Sequence, residues 1–552
     1  MVCFEQLSGL KINYDKSDLT TIGLDEDREN DIARIFCCKK GQFHFKYLGV
    51  PLHHSNLQRE HIQLVVDKVI KRIAGWKGRL LSYGGRLTLL NSCLASIPIY
   101  LMSIIKFPKW DIKLINSQMS HFFWDNTEEK HKYHLANWHL VSHKKEFGGL
   151  GVPDLRNLNM CLLASWIQRY HLSDNILWKN IVYYKYRTHQ PNLFCCPNYG
   201  TSPFWRGVLW AAQAARLGYC WKVGNGRKVR FWEDMWFGGS SLAVQYWPLY
   251  VINNEKGITI ERAWDGVNLK LTFRRAIPER LMLLWEELLQ IASTIEFSDN
   301  DDDIIWQYDS KGKYSVQSLY SVVSFRGVTP VHVPAVWKLI IPPRIHIFLW
   351  LLSRNKLLTR DNLGTKRELQ DQTCMFCCEI ESVNHLFFDC CVAKAIWSEI
   401  SILMDKEVGQ DFESVARWWI SNNKNEILNC VCAATLWVLW KLRNDLCFQG
   451  KCWRGVEPVL GSVARMLERW KILLNDDKRM VMDDYIGRLE LLGARVPRIM
   501  GTMEGSNLGV FLSTLSQQVS SAMDQRGNEP LLLRVDVLSL VPLPATLVSG
   551  PV

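Results

Sequence analysis

Cysteine and histidine side chains can hold a metal ion when they converge, and one stretch of this chain spaces them for it. It reads Cys374-Met-Phe-Cys377-Cys378-Glu-Ile-Glu-Ser-Val-Asn-His385-Leu-Phe-Phe-Asp-Cys390-Cys391. Two residues between Cys374 and Cys377 suit a tight turn that presents both thiolates to one ion. His385 and Cys390 follow after a short loop and complete a tetrahedral shell of three sulfurs and one nitrogen. Zinc suits such a set because it is borderline soft and has no d-electron preference for geometry. Four protein ligands leave no open position for water, so the site staples a fold and does not catalyse. Cys378 and Cys391 are the competing readings, as substitute ligands or as small apolar residues.

The seventeen cysteines of the 552-residue chain are scattered, and its first residues, Met-Val-Cys-Phe-Glu, lack the charge and apolar run of a secretory signal. This points to thiols in a reducing compartment, and so to an intracellular protein, with nucleus and cytoplasm both open. No membrane partner is expected. The uncharged stretch Thr88 to Ile105 is interrupted by Asn91, Ser92, Ser96, Pro98 and Ser103, and reads as two buried helical pieces hinged at Pro98. The formal charge of +11 permits a polyanionic partner. Lysines and arginines outnumber acids most clearly between Arg59 and Lys145. Twenty-four tryptophans serve cores first, although exposed ones offer platforms on which bases stack.

The elements that must position these groups are mostly helical. Phe4 to Asn13 reads as a helix end, a C-cap at Gly9 and a short strand, and Phe43 to Leu52 as another strand ending at Pro51. Ile62, Val65, Val66, Val69, Ile70 and Ile73 form an apolar helical stripe, with Lys68, Lys71 and Arg72 off it. Beyond it lies a glycine-punctuated basic turn, Gly75 to Arg86, where backbone amides, Lys77, Arg79 and Arg86 could meet phosphates. Trp76 and Tyr83 lie among these cations as stacking groups, Trp76 more readily as core. A further helix spans Leu155 to Tyr170. Trp221 to Trp232 alternates around Gly-Asn-Gly and reads as a β-hairpin. Asp299, Asp301, Asp302 and Asp303 read as a solvated loop before the strand Ile304 to Tyr308. Helices are expected from Lys313, past Pro343, from Thr359, and from Ala393 to about Leu492. Periodicity ends near Arg498, and the apolar residues from Leu531 to Val552 have no pattern.

In this order, these stretches resemble the C-terminal half of reverse transcriptases from plant LINE-type (non-LTR) retrotransposons, from about Phe4 to Gly450. Ser8-Gly-Leu-Lys-Ile-Asn13 with Lys16-Ser17 is similar to the segment after the polymerase active site, and Tyr47 to Leu52 to the hairpin that grips the primer. Trp76 through Arg86, with Leu89 and Asn91, resembles the thumb. Phe147 to Asp154, Val223 to Gly226, Phe231-Trp232 and Trp236 resemble the connecting region. Tyr314 to Tyr320, Pro343, Phe348 to Trp350, Leu358 to Arg360 and the Cys/His cluster resemble the reverse-transcriptase zinc-binding domain, and Trp437 to Asn444 the helix after it.

The resemblance implies a mostly α fold with small β-hairpins. It divides the chain into a remnant of the palm end (1–55), a helical thumb-like region (56–170), a connecting region (171–300), a zinc-binding domain (301–400), a helical extension (401–497) and an irregular tail (498–552). The family's paired palm aspartates, which hold two magnesium ions, should precede Ser8 and are not in the chain. Met480-Val-Met-Asp483-Asp484 imitates them in spelling but lies in a charged helical context without flanking strands, and the tail shows no ribonuclease H carboxylate set. The expectation is a non-catalytic remnant with structural zinc on Cys374, Cys377, His385 and Cys390. Weak, sequence-tolerant RNA or DNA binding is expected through Lys68, Lys71, Arg72, Lys77, Arg79 and Arg86. The rival readings are a domesticated zinc module that binds a protein partner and one part of a split polymerase.

Overall fold

Helices form where apolar residues recur every three or four positions, and the strands are few and short. The computed structural model describes residues 2–494, apart from 12, 14–16, 22, 42–44, 48–49, 53–58, 76–79, 125–132, 173–176, 187–191, 197–201 and 329. Residues 1–494 form one compact unit and residues 495–552 a second, so the expected irregular tail lies outside the described residues. Among the described residues the sheets are three two-stranded pairs.

The apolar side chains gather in two clusters. The larger takes residues from two distant parts of the chain, Ile62 to Leu155 and Val333 to Leu489. The smaller, rich in tryptophan, runs from Cys161 to Leu319 and stands between those parts in sequence. The helix Leu155–Leu172 joins them: Leu155 belongs to the larger cluster, and Cys161, Leu163, Ala164, Ile167 and Tyr170 to the smaller. Buried Asn159 pins this helix, donating Nδ2–H to the carbonyls of Met102 (2.7 Å) and Ile105 (2.8 Å) and accepting from the Phe107 amide (2.9 Å). The region 301–400 is thereby split. The strand Asp303–Trp306 and the helix Val316–Val323, the latter started by a Ser315–Ser318 capping box, pack in the smaller cluster, whereas the buried apolar residues from Val333 onward pack in the larger.

The helix Pro343–Ser353 explains why its sequence is apolar all round. Pro343 opens it, and every residue from Ile347 to Leu352 is buried, so no face needs to be polar. Farther on, the chain is helical as expected: Cys391–Met404, Phe412–Ile420, Asn422–Phe448, Glu457–Trp470 and Asp476–Gly493. No helix among the described residues is long and apolar enough to cross a membrane.

Four local expectations are corrected. The stretch 221–232 is not a hairpin: Tyr219–Lys222 pairs antiparallel with Asp303–Trp306 instead. The Gly-Asn-Gly loop wraps a carboxylate, because the amides of Gly224, Gly226 and Lys228 all donate to Asp302 at 2.7–2.8 Å. Asp302 is accordingly buried and not part of a solvated loop, while Asp301 stays at the surface, paired with Lys228. Near the start, Gly9 ends the helix Val2–Ser8 with φ 68°, as read, but the first strand among the described residues is Asp18–Leu19, paired in parallel with Lys39–Lys40. Finally, Phe45–Tyr47 and Val50–Leu52 are two antiparallel strands, with Pro51 inside the second.

Candidate metal centre

A short reversal of the chain builds the first half of the cluster. Thr373 and Ile380 bridge antiparallel, the Cys374 amide donates to the Glu379 carbonyl at 2.7 Å, and the Glu381 amide donates to Gln372 at 2.9 Å. Cys374 and Cys377 therefore sit on one tight loop. The second half comes from a single wide helical turn, His385–Asp389, closed by the Cys390 amide on the His385 carbonyl at 2.8 Å. A five-residue closure of this kind returns the chain to the same side, so His385 and Cys390 face the loop together. The His385 amide donates to Ser382 Oγ at 3.1 Å, and the helix Cys391–Met404 begins directly after Cys390.

The four ligand atoms lie within 4.8 Å of one another. Cys374 Sγ stands 3.9 Å from Cys390 Sγ, and Cys377 Sγ 3.1 Å from His385 Nε2. A tetrahedral zinc with its usual bond lengths needs ligand separations of roughly 3.5–3.8 Å, so the set fits the ion. Cys374 and Cys390 are buried, while Cys377 and His385 are half-buried. Cys378 and Cys391 are exposed and stand outside the group. The hydrogen bond with Cys390 holds Cys374 below the ordinary thiol range, and the same bond, together with burial, pushes Cys390 up. The two thiols are thus shifted in opposite directions, and a divalent ion would let both sulfurs carry charge.

Behind the cluster lies a feature the sequence did not announce. Glu381, at the foot of the cysteine loop, is fully buried and meets Arg443 of the helix Asn422–Phe448, with Nη2 2.6 Å and Nε 3.1 Å from its carboxylate. The Arg360 amide donates to the same carboxylate at 2.9 Å. Sixty-two positions separate the pair, so no local spacing rule finds it.

The expected nucleic-acid residues divide into three groups. Lys68, Lys71 and Arg72 are exposed on the helix Arg59–Ala74, opposite its buried Ile62, Val65, Val66 and Val69, and line a groove of about 630 Å³ with Ser92 and Ser96. Trp76, Lys77 and Arg79 lie outside the described residues. Arg86 does not belong in the set: it is only 2% exposed, and its Nη1 donates to the Phe123 carbonyl at 3.2 Å, so it satisfies a helix end inside the core. Tyr83 is likewise packed, edge-on to Trp124 with ring centroids 5.7 Å apart. Asp483 and Asp484 are exposed on the helix Asp476–Gly493, where Asp483 pairs with Lys471 and Asp484 with Arg488.

The site and its surroundings define a helical protein with a Cys₃His cluster that could hold one metal ion. Residues 314–397 match the family described as zinc-binding in reverse transcriptase. The chain is similar to a putative ribonuclease H protein of Arabidopsis thaliana, 24% identical over 420 residues, which cover 71% of this chain and 65% of that protein. It is also similar to an uncharacterized mitochondrial protein of the same plant, 28% identical over 142 residues, which cover 26% of this chain and 92% of that one. The chain thus spans somewhat less than two thirds of the longer relative. Together the family match and the two relatives support a C-terminal region of a plant retrotransposon-type reverse transcriptase.

Proposed function

We propose that this chain is a non-catalytic, LINE-derived reverse-transcriptase segment that holds structural zinc and binds RNA or DNA weakly and without sequence preference. The observation that carries the reading is the closed Cys₃His shell inside the matched segment 314–397. Zinc there would supply no Lewis-acid chemistry, because all four positions are taken by protein; it would fix the cysteine loop against His385. Nucleic-acid affinity is supported by the groove of Lys68, Lys71 and Arg72, whose cations would contact phosphates and read no base edges. The non-catalytic reading is supported at the aspartate pair that imitates the polymerase motif in spelling: Asp483 and Asp484 lie exposed on a helix and are engaged by different surface cations.

Two measurements test this. Metal analysis of the purified chain should find one zinc, and Cys377→Ser should lower that content; an unchanged stoichiometry would remove Cys377 from the shell. Primer, template, nucleotides and magnesium or manganese should give no extension. Template-dependent synthesis that disappears in Asp483→Asn/Asp484→Asn would overturn the non-catalytic assignment.

A further inference from the structure

Next to the metal centre, the helices Asn422–Phe448 and Glu457–Trp470 and the loop between them enclose a cleft of about 740 Å³. Its walls carry five cations, Lys441, Lys451, Arg454, Arg465 and Arg469, and one carboxylate, Asp445. Asp445 is spent on Lys451, 2.7 Å away. Lys441, Arg454, Arg465 and Arg469 are exposed, and none of them forms an ion pair with a described residue. Like charges gathered in a concavity repel one another, and an anionic ligand relieves that repulsion. The loop also places an indole at the cleft. Gly450 and Gly455 take φ of 61° and 109°, turns that residues with a Cβ rarely make, and between them Trp453 lines the cavity while 39% exposed.

We propose that this cleft is a binding site for single-stranded nucleic acid, with Lys441, Arg454, Arg465 and Arg469 on the phosphates and Trp453 stacked on an unpaired base. The proposal rests on the reading that the chain binds nucleic acid, and places the stronger site here and not in the groove of Lys68. Cations alone would take any polyanion. The exposed indole among them selects single strands, because only an unpaired base offers its face. Trp453 is also tied to the metal centre: its ring meets edge-on, at 5.5 Å, that of Phe376, which lies between the ligands Cys374 and Cys377. Order in the cysteine loop therefore reaches the stacking platform.

The test uses the full zinc-loaded chain, single-stranded and duplex oligonucleotides, and a salt series. Lys441→Ala/Arg465→Ala/Arg469→Ala changes only exposed side chains. It should weaken single-strand binding about tenfold or more and reduce the log–log salt slope by roughly 0.7 for each phosphate no longer neutralised. Lys68→Ala/Lys71→Ala/Arg72→Ala should have the smaller effect. Trp453→Ala should weaken single strands and spare duplex, with Trp453→Phe restoring most of the affinity. A cleft triple variant with wild-type affinity and slope, in a chain whose binding depends on Lys68, Lys71 and Arg72, would overturn this site and leave the general reading intact. No binding by the wild-type chain would overturn both. Equal weakening for single strands and duplex in Trp453→Ala would overturn the stacking role.

Discussion

At the scale of single residues, the convergence of Cys374, Cys377, His385 and Cys390 was legible because their spacing is local. Cys374 and Cys377 need only a tight turn, and His385 and Cys390 only one wide one, so the side-chain set follows from neighbouring positions. Arg86 shows the opposite case. Its neighbours are glycines and basic residues, yet its destination is the end of another helix, at the Phe123 carbonyl, which local sequence does not contain. The Glu381–Arg443 pair was invisible for the same reason, and its burial has a consequence. Removing one partner of a buried ion pair leaves an uncompensated charge, which typically costs about 3–5 kcal/mol. Glu381→Gln should therefore destabilise the protein by about that much. Glu381→Gln/Arg443→Met should cost clearly less than the two single changes added together, because no charge is then left behind. Denaturant unfolding of the three variants measures both, and strict additivity would show that the pair is not coupled.

At the scale of elements, helices were easier to foresee than strands. The stripe Ile62, Val65, Val66 and Val69 is a period the eye can follow, whereas the partner of Tyr219–Lys222 lies some eighty positions away at Asp303–Trp306. The alternation in 221–232 was real but served another end, since the Gly-Asn-Gly amides bind Asp302 and do not turn a hairpin. Glycines carry a similar lesson. Gly84 lies in the glycine-punctuated turn read as open to phosphates, but a Cβ there would stand 2.8 Å from Pro343 Cβ and 2.9 Å from the Arg344 nitrogen. Its smallness lets the helix Tyr83–Leu89 lie close against the helix Pro343–Ser353. Two effects oppose each other in Gly84→Ala: helix propensity favours alanine by about 1 kcal/mol, and overpacking against backbone costs about 1–3 kcal/mol. The second should win, lowering the melting temperature. Gly487→Ala, in a helix position with nothing within 4 Å, should raise it. A stabilised Gly84→Ala would mean that the two helices can part at no cost.

At the scale of the molecule, the two apolar clusters do not follow the boundaries read from the sequence, because the larger is made of residues 62–155 and 333–489 with the smaller between them in the chain. Patterns along a chain reveal which residues are buried, but not which distant segments share a core. This decides how loss of metal should spread. Cys374 and Cys390 are themselves members of the larger cluster, beside Phe387 and Trp397, and Glu381 ties their loop to the helix Asn422–Phe448. Metal binding couples to folding, because the four side chains converge on one position only in the folded chain. A strong chelator should thus lower the melting temperature and speed amide hydrogen exchange first in the cysteine loop. The change should then reach the helices Pro343–Ser353 and Asn422–Phe448, and with them the helix Arg59–Ala74, remote in sequence but in the same core. The helix Pro203–Ala215 and the strands Tyr219–Lys222 and Asp303–Trp306, packed in the smaller cluster, should keep their protection longest. The helix Val316–Val323 discriminates between two pictures, because it lies within the zinc-binding match yet packs in the smaller cluster. If it loses protection together with the cysteine loop, the matched segment opens as a unit of sequence. If it stays protected with the helix Leu155–Leu172, the unit of stability is the core.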